Sequence, residues 1–580
     1  MSRREAWLSA AAVFAVALVV RIVAAAAVGF PVPEDTAYYA GVARNLAEGR
    51  GLISDALWSY QTQPLIVPRA AFEIWMPLPS LLEAIPVFLA GAANWFRAAQ
   101  VVSVLAGTAV AVMAWRLGAD VAAEMGLPAG RARTMGVGTG LVAAVLGPLV
   151  IYSALPDSTA LFAALALAAC LLMTRIAARE VARGAGAGTA GSGAGESAAG
   201  ESAVGESTPA APAPATAPAR FDRRLIALGL VLGFAALTRS EAIWLCLAWA
   251  AVVWFGTSGS RRRRAGLIGI PALVAILVFA PWAVRDWLVF GTPLPGQTIS
   301  NALFVHYTDV FAYQDPPTLA RFLGQGPAAL AGIYLAGIAH DLFSVLLIPA
   351  FPVALVGLVA LPWVWRRRTL RPLVFASILT FAVTSIAFPV ATQSGTYLHA
   401  AGAAFVLLAV SCLVFLDRLI VRIGRLRHWT RPVAWLGPAF AIAAIGPLCF
   451  ISVNGIAGQA SDAQARYQAL PSAMARAGVP LDGSAPVITD NPIWLSETTR
   501  VRAIALPEES PDAVLALARR FGAKLLIVRD DNNRHWPHIL DASGTAAKCF
   551  QEVPLTDISG MAPTKDSALV TFHVFRIVCP

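Results

Sequence analysis

Long apolar runs constrain this chain more than any other feature. They lie at 7–30, 99–117, 135–154, 158–174, 225–237, 243–255, 266–284, 342–365, 373–390, 401–416 and 433–453. A bilayer crossing takes roughly 20 mostly apolar residues. The runs therefore predict a polytopic α-helical membrane protein with about eleven transmembrane helices. Composition agrees: 57% of residues are hydrophobic and 13% charged, where soluble domains run near a quarter charged.

The net charge of +10 does not point to nucleic acid. Arg3 and Arg4 precede the first run, and the other basic clusters fall at 116–133, 175–224, 261–264, 366–371 and 417–431. With the N-terminus inside, alternation puts every one of them on the cytoplasmic side, as the positive-inside rule requires. The segments 30–98, 155–157, 238–242, 285–341, 391–400 and everything after 453 then lie outside. The first run is too long for a cleavable signal peptide and no A-x-A-like site follows it. Cys170, Cys246, Cys412 and Cys449 sit in the apolar runs as small packing residues. Cys549 and Cys579 share the outside tail, where a disulfide persists.

The outside segment 30–98 is not uniformly polar. Its apolar part, 75–95, is interrupted by Pro77, Pro79 and Pro86, and counting it as a crossing would invert every later assignment. It reads instead as helices lying along the membrane surface. Residues 184–219 are almost entirely Ala, Gly, Ser, Pro, Glu and Thr, a composition that buries no core and predicts a disordered cytoplasmic linker. Residues 1–453 thus form the membrane domain. The tail, 454–580, changes pattern: PVITD, KLLIVRD and ALVTFHVFRIV read as strands, PEESPDAVLALARRFGA as a helix with an acidic start and basic end, and NPIWLSETT as a loop. This predicts a small extracytoplasmic α/β domain.

Polar residues collect at the outer ends of the apolar runs. Glu34 and Asp35 follow the first run and open a helix-like stretch with Tyr38 and Tyr39. They suit a helix N-terminus, and a carboxylate beside apolar walls also suits a general base. Asp157 follows Pro156 at the end of the third run, as a helix cap or a site residue. Arg239 and Glu241 sit at the tip between two runs, as a pair closing a hairpin or with Arg239 holding a phosphate. Arg285 and Asp286 lie between Trp282 and Trp287, ahead of a GTPLPGQ turn, and His399 begins the 401–416 run. The sequence contains no H-e-x-x-H-type metal motif, D-x-D, P-loop or G-x-S-x-G.

Several of these stretches resemble the bacterial GT-C membrane glycosyltransferases of the protein O-mannosyltransferase and aminoarabinose-transferase-like group. PEDTAYYAGVARNLAEGRGL is similar to the first-loop motif. EIWMPLPSLLEAIPVFLAG with WFRAAQVVS is similar to the surface helix and the Arg that precedes the second span. LPDSTALF, LTRSEAIW and PWAVRDWLVFGTPLPG are similar to later motifs. The likeness covers about residues 5–420. MPLP stands at 76–79 where the mannosyltransferases carry His-Pro-Pro-Leu, and Glu34–Asp35 stands where many relatives carry Asp-Glu.

The resemblance implies a GT-C-like fold in the bacterial inner (plasma) membrane, with an extracytoplasmic active site. It implies transfer of a sugar, with inversion, from a polyprenyl-phosphate donor to an envelope glycan, lipid or protein hydroxyl. Asp35 would be the base, with Glu34 as the neighbour able to serve. Asp157, Arg239, Glu241, Arg285, His399, Tyr38 and Glu73 would bind the lipid phosphate or the sugar. It implies no required cofactor, with a divalent metal an open alternative that no motif indicates; the charge pattern already speaks against a nucleic-acid partner. A lipid or sugar transporter, or an inactive envelope scaffold of the same fold, is the competing expectation. A transporter would carry ionisable residues in mid-span and broken helices in matching halves.

Overall fold

The structure, a computed structural model, describes residues 2–192, 222–257, 259–295, 298–430, 433–530, 534–541, 544–557 and 559–579. Most of the 184–219 segment, and Gly296 and Gln297 of the GTPLPGQ turn, lie outside the described residues. The protein is a multi-pass, mostly helical membrane protein. Among the described residues seven helices are long and apolar enough to cross a membrane: Arg3–Ala27, Trp95–Glu124, Ser158–Arg183, Arg261–Phe290, Gly326–Leu347, Gly402–Leu426 and Leu436–Arg476. The pair Ala129–Val145 and Gly147–Ala154, bent by 55°, makes an eighth. The runs at 225–237, 243–255 and 373–390 form shorter helices, Arg223–Ala236, Ala242–Gly256 and Arg371–Ala387. The count of about eleven therefore mixes full-length helices with short ones. Exposed apolar side chains such as Leu273, Ile276, Leu277 and Leu288 face outward, as lipid-facing positions do.

One helix differs from the sequence expectation. The run at 342–365 is divided: Gly326–Leu347 is one helix, with a π-helical end over His340–Leu347, and Val353–Val364 is another. Pro349 and Pro352 lie in the break, and each removes a backbone donor that a continuous helix needs. The apolar stretch upstream of His340 extends the first helix into what reads as an outside loop. Asp341, fully buried, is accommodated because Ser385 and Thr392 each donate to its carboxylate at 2.8 Å.

The bend in the eighth crossing has a local cause. Pro148 has no N–H to offer the Ala144 carbonyl. Arg21, fully buried on the first helix, supplies the missing donors: its guanidinium reaches the carbonyls of Ala143 and Ala144 at 3.3 Å and Ser153 Oγ at 3.1 Å. The bent helix then delivers Pro156 and Asp157 to one end of the bundle.

The tail forms a mixed sheet of β2 and β4–β8. In chain order the strands are β1 (Ile53–Ser54), β2 (Ala56–Leu57), β3 (Arg69–Ala70), β4 (Val487–Thr489), β5 (Ala503–Ala505), β6 (Leu525–Arg529), β7 (Phe550–Glu552) and β8 (Phe572–Ile577). The six-stranded order is β2-β5-β4-β6-β8-β7, parallel from β2 to β6 and antiparallel beyond. The helix Pro511–Phe521 has the expected ends: Ser510 caps it, Arg519 and Arg520 lie in its last turn, and Gly522 closes it at φ 66°. NPIWLSETT, expected as a loop, is instead the helix Pro492–Thr499. Cys549 and Cys579 form a disulfide with Cα atoms 5.1 Å apart.

Two features tie the tail to the membrane part. Leu436–Arg476 runs unbroken through residue 453, for about 62 Å at 1.5 Å per residue, and packs Tyr467, Leu470 and Met474 on Leu495 and Phe572. The second tie is β2, which comes from the first loop yet forms the edge of the tail's sheet, with Ala56 beside Ala503 and Leu57 beside Ile504. Tyr38, Tyr39, Trp58 and Phe72 of the first loop share one hydrophobic core with Ile488, Ile504 and Leu526 of the tail.

Candidate active site

The helix Glu34–Ala47 carries the two carboxylates in its first turn. They go to different places. Asp35 lines a cavity of about 200 Å³ together with Tyr39, Arg239, Glu241 and His399. Glu34 is not among the lining residues. Its Oε1 accepts the N–H groups of Ile493 (3.2 Å) and Trp494 (3.3 Å), so it caps the Pro492–Thr499 helix from outside. Burial pushes its pKa up to about 8, against the lowering effect of the Trp494 N–H.

The rest of that helix is gripped by the tail. Arg44 forms a buried ion pair with Glu497 and donates to the Glu497 carbonyl at 3.2 Å. Gly41 faces the same carboxylate, and a Cβ there would collide with it. Arg500 donates to Glu48 at 2.6 Å, and Trp494 Nε1 to the Pro31 carbonyl at 2.7 Å. Asp35 is therefore positioned from two sides, by the membrane helices and by the tail.

Opposite Asp35 stands His399, whose Nε2 is 3.4 Å from Asp35 Oδ2. Gly395, at φ 116°, leaves room for that ring: a Cβ would come within 3.1 Å of Nε2. Behind the ring, Nδ1 lies 2.6 Å from Thr159 Oγ1. Asp157 accepts from the Thr159 N–H at 2.7 Å, which fixes the backbone beside that hydroxyl. Asp157 is fully buried, and burial pushes its pKa up to about 6, with His399 the main opposing influence.

Arg239 is the cavity's arginine. It donates to both oxygens of Glu241, at 3.1 and 2.6 Å, and to Ser158 Oγ at 3.0 Å. The hairpin pair is thus present, and its guanidinium also faces the cavity. Burial disfavours the charge on Arg239, and Glu241 more than restores it.

The remaining candidates lie outside the cavity lining. Arg285 pairs with Asp286 at 2.8 Å and sits over the rings of Trp282 and Phe290. Tyr38 accepts from the Phe72 N–H at 2.7 Å and packs on Trp75. Glu73 forms a buried ion pair with Arg69, and burial pushes its pKa up to about 8. Residues without a role in the sequence reading also belong to the site, among them Thr159, visible only as the residue after the Asp-Ser of LPDSTALF, and Trp58, in a loop without periodicity. Among the described residues no group of three or more His, Cys, Asp or Glu could hold a metal ion.

No protein-family model and no curated protein matches this chain. Solved structures do match. The Archaeoglobus fulgidus oligosaccharyltransferase in its apo form aligns at TM-score 0.53 and 12% identity, over 100% of this chain and 77% of that one. The same organism's oligosaccharyltransferase AglB, with an inhibitory peptide and a dolichol-phosphate, aligns at TM-score 0.50 and 11% identity, covering 95% and 74%. ArnT from Cupriavidus metallidurans in the apo state aligns at TM-score 0.51 and 13% identity, covering 100% and 99%. At these identities the likeness is one of fold: the chain has the GT-C fold, membrane helices and C-terminal domain together.

Proposed function

We propose that the protein is a membrane glycosyltransferase that moves a sugar from a polyprenyl-phosphate donor to a hydroxyl of an envelope acceptor, on the extracytoplasmic face and with inversion. The observation that carries this reading is one cavity holding a carboxylate, an imidazole and a guanidinium: Asp35, His399 and Arg239. The fold neighbours support it, and one of them was solved with a dolichol-phosphate.

In this reading the acceptor oxygen attacks the anomeric carbon and its proton goes to Asp35. The bond from that carbon to the phosphate oxygen breaks, and its electron pair leaves with the lipid phosphate. Arg239 faces the charge that grows on that phosphate, the kind of preorganised donor that stabilises a transition state. His399 Nε2 then takes the proton from Asp35, while the Thr159 hydroxyl holds the ring from behind. Glu34 stands as the helix cap that fixes the loop beside the base. No nucleotide or cofactor enters the scheme.

The test is reconstitution in liposomes with a radiolabelled polyprenyl-phosphate sugar and a crude envelope acceptor fraction. The reading expects label to reach the acceptor with inverted anomeric configuration. Donor movement across the bilayer without transfer would replace it with the transporter reading.

A further inference from the structure

The cavity beside Asp35 has two chemically different parts. Among its described lining residues the acidic and basic ones are Asp35, Arg239, Glu241 and His399: Asp35 touches His399, and Arg239 pairs with Glu241. The rest is uncharged. Trp58, Trp75, Phe304 and Tyr307 supply rings, and Gln61 and Asn301 supply amides.

The two tryptophans are set in place before any ligand arrives. Trp75 packs against Tyr38, with centroids 4.2 Å apart, and against Trp58 at 4.9 Å. Trp58 in turn meets Phe311 edge-on at 5.1 Å. Charged residues near this wall already answer one another: Arg69 pairs with Glu73, and Arg321 with Asp309. A charged ligand group would find no spare counter-charge among the described lining residues there. A sugar ring fits both features. Its C–H face is apolar and packs on an aromatic ring, and its hydroxyls need donors and acceptors at the rim.

We propose that Trp75 and Trp58 form a stacking subsite for an uncharged sugar ring within the cavity of Asp35. This deepens the glycosyltransferase reading and rests on it for the use made of the bound sugar. The ring belongs to the acceptor glycan or to the donor, and the chemistry of recognition is the same.

The test uses the full-length protein in a sugar-free amine-oxide detergent. Saturation-transfer NMR is recorded with methyl glycosides of glucose, galactose, mannose and arabinose, and with a serine-containing peptide. The expected result is saturation transfer to the ring protons of at least one neutral glycoside, lost in Trp75→Ala and kept in Trp75→Phe. Absence of a saturable glycoside signal from folded wild type overturns the proposal. So does an undiminished signal in Trp75→Ala, or displacement of the glycoside by the peptide. In the transfer assay, Trp75→Ala should raise one KM at least tenfold: the acceptor's if the ring is the acceptor's, the donor's if it is the donor's. Trp75-dependent sugar binding together with unimpaired transfer by Asp35→Asn would keep the subsite and sink the catalytic reading; the reverse pattern would sink the subsite alone.

Discussion

Removing the Glu497 carboxylate should loosen the tail from the helix that carries Asp35. Arg44 and Glu497 have side chains only 6% and 5% exposed. Breaking such a pair from one side leaves a buried charge unmatched, which costs about 3–5 kcal/mol. In Glu497→Ala, Arg44 keeps the carbonyl of residue 497 at 3.2 Å and the ring of Trp95 at 4.3 Å. A desolvated cation–π contact is worth about 2 kcal/mol, so the loss should fall at the lower end, about 3 kcal/mol. Arg44→Met should cost less, about 1–3 kcal/mol. The stranded carboxylate can protonate, since burial already raises its pKa, and Arg500 also stands near. The assay is trypsin cleavage after Arg500, whose guanidinium is held by Glu48 while the tail is docked. When opening is fast, cleavage follows the open population. Glu497→Ala should therefore be cut roughly 100-fold faster than wild type. The double variant Arg44→Met/Glu497→Ala should recover part of the loss, with a coupling of about 0.5–3 kcal/mol. Cleavage of Glu497→Ala at the wild-type rate, or strictly additive losses in the cycle, would refute the reasoning.

Three further outcomes are expected. Asp157 holds its proton more tightly folded, near pH 6, than at its ordinary 3.8. Stability should therefore fall as pH rises from about 4 to about 6, by about 3 kcal/mol, and then level off; thermal midpoints of wild type against Asp157→Asn should diverge over that window, and parallel curves would contradict it. In Gly107→Ala the new methyl would collide with Ser153 Oγ and lie 2.7 Å from Arg21 Nε, so thermal unfolding should show a loss of about 1–3 kcal/mol that Gly256→Ala, where the space is open, does not share. A protease-cleavable tag at the C-terminus should be cut from outside intact spheroplasts; protection there would break the proposed orientation.

How much could be read in advance depended on whether the signal was local. The membrane helices were legible because apolar runs need no partner to be recognised. Asp35, Arg239, Glu241 and His399 were legible as polar residues at the ends of those runs, and the structure gathers them in one cavity. Thr159 was hidden because its role depends on His399, 240 positions away. Ala56–Leu57 was hidden for the same reason: a two-residue strand has no periodicity of its own and exists only against Ala503 and Ile504. Glu34 looked equivalent to Asp35 until the Pro492–Thr499 helix supplied its partners, and that helix read as a loop because its cap lies 459 residues upstream. Arg21 passed unremarked in the first apolar run. One of the carbonyls it serves, that of Ala144, is freed by a proline on another helix.

The account stands most directly on Asp35. Sugar transfer from a purified polyprenyl-phosphate sugar should be measured for wild type and Asp35→Asn, with equal folding verified by the trypsin assay at Arg500. Loss of a positioned general base costs typically 10²–10⁴-fold, so the account predicts that Asp35→Asn retains about 1% or less of the wild-type rate. An Asp35→Asn protein that is folded and transfers sugar at the wild-type rate would contradict it.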